Sequence, residues 1–276
     1  MAFNLCESVD EDPKLAGHPA ALLELLGIAY TGSPSAAIML TTDKLLTKRL
    51  MTSNGIRTPN YLVYIGQENF NTTTLRFPVI IKPRFEDASI GIDQESIFTE
   101  EKTLKNGLKE FSDRFGHLLV EDYINGREFN ISLLGYPVVK TLPVAEIDFS
   151  SFPEELYPIV GYRAKWEEKS FEYNHTPRFF PDDLSDGLLK KLNDTALSCF
   201  HLFQLRDYGR VDIRMDSHER IYVLEVNANP CLSPDAGLAA ASQEAGMDYS
   251  QLVKKLVDYT SQRSGQNDHK VSRVSG

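Results

Sequence analysis

The chain has three cysteines, Cys6, Cys199 and Cys231, scattered along its length with no C-x-x-C pair. That scarcity argues against a disulfide framework or a cysteine-built zinc site and points to a reducing compartment. His18, His117, His175, His201 and His218 show no metal-ligand spacing either. No apolar run approaches the roughly 20 residues of a membrane span. The opening MAFNLCESVDEDPK lacks the basic and apolar regions of a signal peptide. There is no basic run to track a nucleic-acid backbone; 39 acidic residues outnumber 29 basic ones, for a net charge of −10. No G-x-x-x-x-G-K-[ST] occurs, so a P-loop is excluded. A soluble, cytoplasmic protein with no nucleic-acid or membrane partner is therefore expected. Its 276 residues, 42% hydrophobic and 25% charged, suffice for one large domain or two modest ones.

The most informative stretch present is Arg210 to Gly237, RVDIRMDSHERIYVLEVNANPCLSPDAG. Arg210, Asp212 and Arg214 alternate with Val211, Ile213 and Met215, the period of a strand with one polar and one apolar face. Asp216 to Glu219 is turn-like, and Ile221 to Val226 reads as a second strand. Glu225 and Asn227, two apart, share a face. Pairing of the strands brings Asp212 toward both, an all-oxygen set suited to Mg²⁺ holding a nucleotide's phosphates. An ordinary hairpin with a solvated polar face has the same pattern.

Before it, Ala2 to Leu5 and Ile28 to Gly32 read as short strands. Helices are expected over Pro19 to Leu26, with Leu22, Leu23, Leu25 and Leu26 as its stripe, then Ser33 to Leu40, then Lys44 to Ser53 with Asp43 as N-cap. Strands are expected at Tyr61 to Ile65, Pro78 to Ile81, Leu118 to Tyr123, Glu128 to Leu134, Val138 to Val139 and Val144 to Ile147, with a helix over Leu104 to Phe115. Ser150 to Pro181 is long, aromatic-rich and carries four prolines, the signature of a functional loop or lid. Leu188 to Phe203 is an amphipathic helix, and two closing helices, Leu238 to Ala245 and Tyr249 to Tyr259, precede a tail over 263–276 that reads as disordered.

Candidate chemistry is spread over these pieces. Lys82 ends a buried strand and can meet a phosphate there, or snorkel to the surface. Residues 86–91 (EDASIG) offer backbone N–H groups and the Ser89 hydroxyl to phosphate oxygens. VEDYINGRE, 120–128, has the character of a hinge against which a purine pairs with backbone groups, with Glu128 on ribose hydroxyls. Lys165-Trp166 lies in the long loop, placed either to close over phosphates or simply to pack. Arg210 can stabilise charge developing on a reacting oxygen, or pair with Asp212. Cys231 lacks a base partner and is a poor nucleophile candidate.

The order of these motifs resembles the ATP-grasp superfamily: Asp43-Lys44, FPVIIKP, a Ser/Gly loop, VEDYINGREF, Ala164-Lys165-Trp166, GRVD and LEVNANP. Within it, the chain is similar to the D-alanine–D-alanine ligase group from about Pro19 to Tyr259, including LLELLGIAYTGS and TTDKLLTKRLMTSNGIRTP. The resemblance implies an α+β ATP-grasp fold in which two α/β subdomains clasp ATP, preceded by a partial α/β segment. It implies residues 1–42 as that segment, 43–124 as the central subdomain and 125–262 as the catalytic subdomain. Lys44 and Lys82 match lysines on ATP phosphates, Glu121 and Ile124 the adenine hinge, Glu128 the ribose carboxylate, and Lys165 the closing-loop lysine. Asp212, Glu225 and Asn227 match ligands of Mg²⁺ (or Mn²⁺), and Arg210 the arginine beside the acyl-phosphate. The implied reaction phosphorylates a carboxylate with ATP and lets an amine displace phosphate, joining amino-acid or peptide substrates; a homodimer is also implied.

Departures accompany the resemblance. Asp87, Ala88 and Ser89 stand where dipeptide-forming ligases carry a Gly and a Ser-Ser pair, and Trp166 stands for a Tyr bonded to the first of those serines. Cys231 replaces a Gly, and Asp235 in the following loop is expected to disfavour a substrate carboxylate. The opening reads as the last third of an α/β domain, so an ATP-binding module without ligation is the alternative.

Overall fold

Residues before the first sheet form a 3₁₀ turn (Pro13–Leu15) and three α-helices. α1 (His18–Leu25) follows Gly17, α2 (Ser35–Thr42) follows Pro34, and α3 (Lys44–Ser53) begins at Asp43, whose carboxylate accepts from the Leu45 and Leu46 amides as expected of an N-cap. Four leucines so close in sequence cannot share one face. Leu23 packs with buried Ala20, while Leu22, Leu25 and Leu26 are exposed. The two strands expected here reduce to a single parallel bridge between Ala2 and Tyr30. The computed structural model describes residues 1–271. Among them no helix is long and apolar enough to cross a membrane.

The first sheet is antiparallel and built from β1 (Tyr61–Tyr64), β2 (Val79–Pro83), β3 (Ile97–Phe98) and β4 (Leu118–Asp122), in the order β1-β4-β2-β3. Helix α4 (Glu101–Phe115) covers one face, packing Leu104, Leu108 and Phe111 against Val79, Ile81, Leu118 and Val120. Alternation sends Ile80, Lys82 and Glu121 to the other face, where they line a cleft.

The second sheet runs β10-β9-β5-β7-β8, with β6 paired to β5. Its first strands are β5 (Arg127–Gly135), β6 (Val139–Thr141) and β7 (Ala145–Ile147). The long connection that follows is more ordered than its sequence suggests. It holds α5 (Tyr162–Trp166), α6 (Phe171–Asn174) and β8 (Arg178–Phe179). Ser170 caps α6, the Phe171 and His175 rings stack at 3.9 Å, and Arg163 pairs with Glu172 at 3.2 Å, local contacts that no periodicity signals.

Helix α7 (Asp186–Leu202) then leads into the hairpin of β9 (Asp207–Met215) and β10 (Ile221–Asn227). One face of this sheet is apolar. Phe129, Ile131, Leu133, Val211, Ile213, Val223 and Val226 join Leu192, Ala196, Cys199 and Phe200 of α7 in the main core. Met51 of α3 is buried in the same core. Residues 43–124 therefore do not form one packing unit: α3 sits with the larger sheet, and only its first residue, Lys44, faces the cleft.

The opposite face carries Glu128 and Asn130 on β5, Arg210, Asp212 and Arg214 on β9, and Glu225 and Asn227 on β10, all lining the cleft. At its far end Leu134 and Tyr208 are covered by α8 (Gly237–Glu244) and α9 (Tyr249–Val271). Helix α9 continues through most of the segment expected to be a disordered tail. Arg263 ties it down by donating to Asp207 and to the Tyr30 carbonyl. Residues 272–276 lie outside the described residues.

Candidate active site

Between the two polar sheet faces lies a cavity of about 560 Å³, a size suited to a nucleotide and a small substrate. Lys44, Lys82, Ser89, Glu121, Ile124, Glu128, Lys165, Arg210, Asp212, Glu225 and Asn227 all line it. The chain thus concentrates cations on one cleft despite its net negative charge, as an anion site in an acidic protein requires.

The metal-ligand candidates owe their arrangement to strand register. Glu225 on β10 stands directly opposite Asp212 on β9, and Asn227 opposite Arg210. A register shift falls between Val223 and Glu225. It leaves Val223 in the core and brings both Leu224 and Glu225 to the cleft, which strict alternation would forbid. Asp212 accepts from Arg210 at 2.8 and 2.9 Å and from Asn130 at 2.9 Å. Burial pushes the Asp212 carboxyl up, Arg210 offsets this, and Glu225 adds to the rise. Burial would raise Glu225 too, but Lys44, Lys165, Arg210 and Lys82 outweigh it and hold the group below its ordinary value. Two facing carboxylates and an amide oxygen suit a hard divalent cation, which would also relieve their mutual repulsion.

On the smaller sheet, Glu121 is fully buried between two ammonium groups, Lys48 at 3.1 Å and Lys82 at 3.0 Å. The carboxylate aims Lys82 into the cleft. Lys48, 1% exposed, also donates to the Thr58 hydroxyl at 2.7 Å. Burial lowers its pKa to about 8, with Glu121 opposing and Lys82 and Lys44 reinforcing the shift. Sequence reading missed Lys48; inside a helix of mixed polarity nothing separates it from a surface lysine. Lys44 donates to the Glu86 carbonyl and lies 3.7 Å from Asp87. Burial pushes Asp87 up to about 6, against the pull of Lys44.

The long connection closes the cleft. Trp166 donates its indole N–H to the Ala88 carbonyl at 3.0 Å, and the Ser89 hydroxyl donates to the Val160 carbonyl at 2.7 Å. The Ser89 hydroxyl is thus engaged with the lid. The link that a tyrosine and a serine would make is replaced by tryptophan and a backbone oxygen. Ala88 and Ser89 both take positive φ, 54° and 64°, unusual for residues with a Cβ and typical of strained functional loops. Burial lowers the pKa of Lys165, and Arg210 adds to the effect while Glu225 and Asp212 oppose it. Asp235 is exposed and outside the cavity lining; Arg178, Ala236 and Gly237 occupy that wall. The Asp235 charge acts on that wall through Arg178, whose guanidinium it helps keep protonated against burial. Cys231 also lines the cavity, where its thiol lies 3.2 Å from the Ser233 hydroxyl.

Residues 50–258 match the family described as D-ala D-ala ligase C-terminus. An uncharacterized protein of Sinorhizobium fredii, y4sG, is 34% identical over 264 residues, covering 95% of this chain and 75% of that protein. The D-alanine–D-alanine ligase of Aquifex aeolicus is 31% identical over 242 residues, covering 87% and 77%. The crystal structure of D-alanine–D-alanine ligase from Bacillus anthracis complexed with ATP superposes with a TM-score of 0.73 at 23% identity, over 90% of this chain and 76% of that one. With the family match spanning most of its length and its fold shared with a solved member, the chain belongs to the D-alanine–D-alanine ligase family of ATP-grasp proteins.

Proposed function

We propose that this protein is an ATP-dependent carboxylate–amine ligase that forms an amide bond through an acyl-phosphate. The observation that carries the reading is the opposition of Asp212 and Glu225 across paired strands, with Arg210 beside them and Lys44, Lys82 and Lys165 around the same cavity. ATP lies between the sheets: the purine against the hinge at Glu121 to Ile124, the ribose at Glu128, and the phosphates among Lys44, Lys82 and the 86–91 loop. Asp212, Glu225 and Asn227 would hold Mg²⁺ or Mn²⁺, which would supply neutralisation of phosphate charge there.

The residues of the chain do the remaining work. A carboxylate is a poor electrophile, and phosphorylation gives it a leaving group. Arg210 and Lys165 neutralise the charge that builds on the transferring phosphoryl group and on the tetrahedral oxygen left by amine attack. The lid of residues 150–181 excludes water, which would otherwise hydrolyse the acyl-phosphate. Amino acids or dipeptides are the substrate class, as for the D-alanine–D-alanine ligases among its relatives.

The test is phosphate release from Mg·ATP with amino acids and dipeptides offered in pairs, and mass spectrometry of the products. Release that needs both members of a pair, with a new amide mass, is the expected result. Nucleotide binding with no pair-dependent release would leave a binding module without ligation.

A further inference from the structure

Arg214 is almost fully buried, 3% exposed, yet lines the nucleotide end of the cleft. It stands directly across from Glu128 in the pairing of β9 with β5. Its Nε and one terminal nitrogen both donate to Glu128 Oε2, at 2.9 and 2.7 Å. Both bonds thus fall on one carboxylate oxygen, and Glu128 itself lines the cleft. The other terminal nitrogen donates to the Ile124 carbonyl at 3.0 Å and to the Tyr123 hydroxyl at 3.3 Å. A further bond reaches the Pro158 carbonyl in the lid. The guanidinium also lies over the Tyr123 and Phe149 rings.

We infer that Arg214 is a positioning residue for the nucleotide's sugar: it locks Glu128 at the cleft and joins that carboxylate to the hinge and the lid, so that ribose hydroxyls are read by a preset acceptor. A carboxylate free to rotate would lose side-chain entropy on meeting the sugar, and a buried one without a cation would be costly to keep ionised. The planar guanidinium meets both needs, because its fixed fork spans Glu128, Ile124 and Pro158 at once, which an ammonium cannot do. Held this way, Glu128 distinguishes a sugar with two hydroxyls from one that lacks the 2′-hydroxyl. The inference rests on the proposed binding of ATP in this cleft.

Calorimetric titration of the full chain with Mg·ATP and with Mg·2′-deoxy-ATP tests it, comparing the parent with Arg214→Met and Arg214→Lys. The parent is expected to prefer ATP about tenfold, the worth of one hydrogen bond to a charged group. Arg214→Met should weaken ATP binding by a similar factor, weaken 2′-deoxy-ATP binding much less, and so bring the ratio near one. A side chain that merely supports the fold would weaken both nucleotides alike and keep the ratio. Arg214→Lys, which preserves the buried charge and serves if the methionine variant does not fold, should also lower the ratio. A parental ratio in either variant, or a parent that binds the two sugars equally, overturns the inference. A parent that binds neither nucleotide refutes the underlying assignment of the cleft.

Discussion

The Glu225 carboxyl is tuned by its neighbours. Lys44, Lys165, Arg210 and Lys82 hold it below its ordinary value against the pull of burial. Replacing it by glutamine keeps the shape and removes the charge. The expected outcome is a fall in pair-dependent phosphate release on the order of a hundredfold, with a requirement for more Mg²⁺; unchanged Mg²⁺ dependence would refute the ligand assignment. Lys48 supplies a different kind of test. Its pKa is about 8 in the folded chain against 10.5 ordinarily. Between those values the unfolded chain binds more protons, so this group's contribution to stability rises with pH; its cost is fully present below about pH 8 and vanishes above 10.5. The stability difference between the parent and Lys48→Met, from urea denaturation, should therefore move in the parent's favour from pH 8 toward 10.5. A difference independent of pH would show that Glu121 fully offsets the effect of burial and that the Lys48 pKa is not lowered in the folded chain.

Among the elements, the lid shows how local packing replaces expected side-chain chemistry. Trp166 is the chain's single tryptophan, and it sits at the latch with the Ala88 carbonyl. Gly161, nearby, has no room for a side chain: a Cβ there would lie 2.8 Å from the Ile92 carbonyl oxygen. Because that neighbour is backbone, Gly161→Ala must displace the lid from the smaller sheet. KM for ATP should then rise several-fold through loss of the latch bonds. An unchanged KM would mean that the lid does not depend on this close approach. The lid is also the element least legible in sequence. Its prolines and aromatics marked it as functional, but the Ser170 cap, the Phe171–His175 stack and the indole-to-carbonyl bond involve contacts with no period and, in the last case, an acceptor that every residue possesses. The strands flanking the cleft were legible because half-buried strands alternate, and Glu225 and Asn227 kept their shared face.

For the molecule as a whole, Asp207 ties helix α9 to the segment that precedes α2. Asp207, fully buried in its side chain, accepts from Arg263 of α9 and from the Gly32 amide at 2.9 Å. Arg263 in turn reaches the Tyr30 carbonyl at 2.8 Å. Removing the cation leaves a buried carboxylate without its main partner. Arg263→Met should cost about 3 kcal/mol in urea denaturation, and adding Asp207→Asn should recover part of that loss. A cost within the range of an exposed ion pair would mean that α9 is held by its apolar contacts alone.

The sequence by itself determined the polar and apolar faces of the hairpin and the N-cap at Asp43, because these follow from period and capping chemistry, while the gathering of lysines and carboxylates into one set was implied by the resemblance that the order of the motifs carries. Tertiary structure decided the rest. Register placed Asp212 across from Glu225, and a one-residue shift at Leu224 turned two successive side chains into the cleft. Pairing of distant strands set Arg214 on Glu128, and packing of α3 against the larger core sent Lys48 to Glu121 on the smaller sheet. Each of these joins segments far apart in the chain, and local propensity carries no information about which distant partner a side chain will meet.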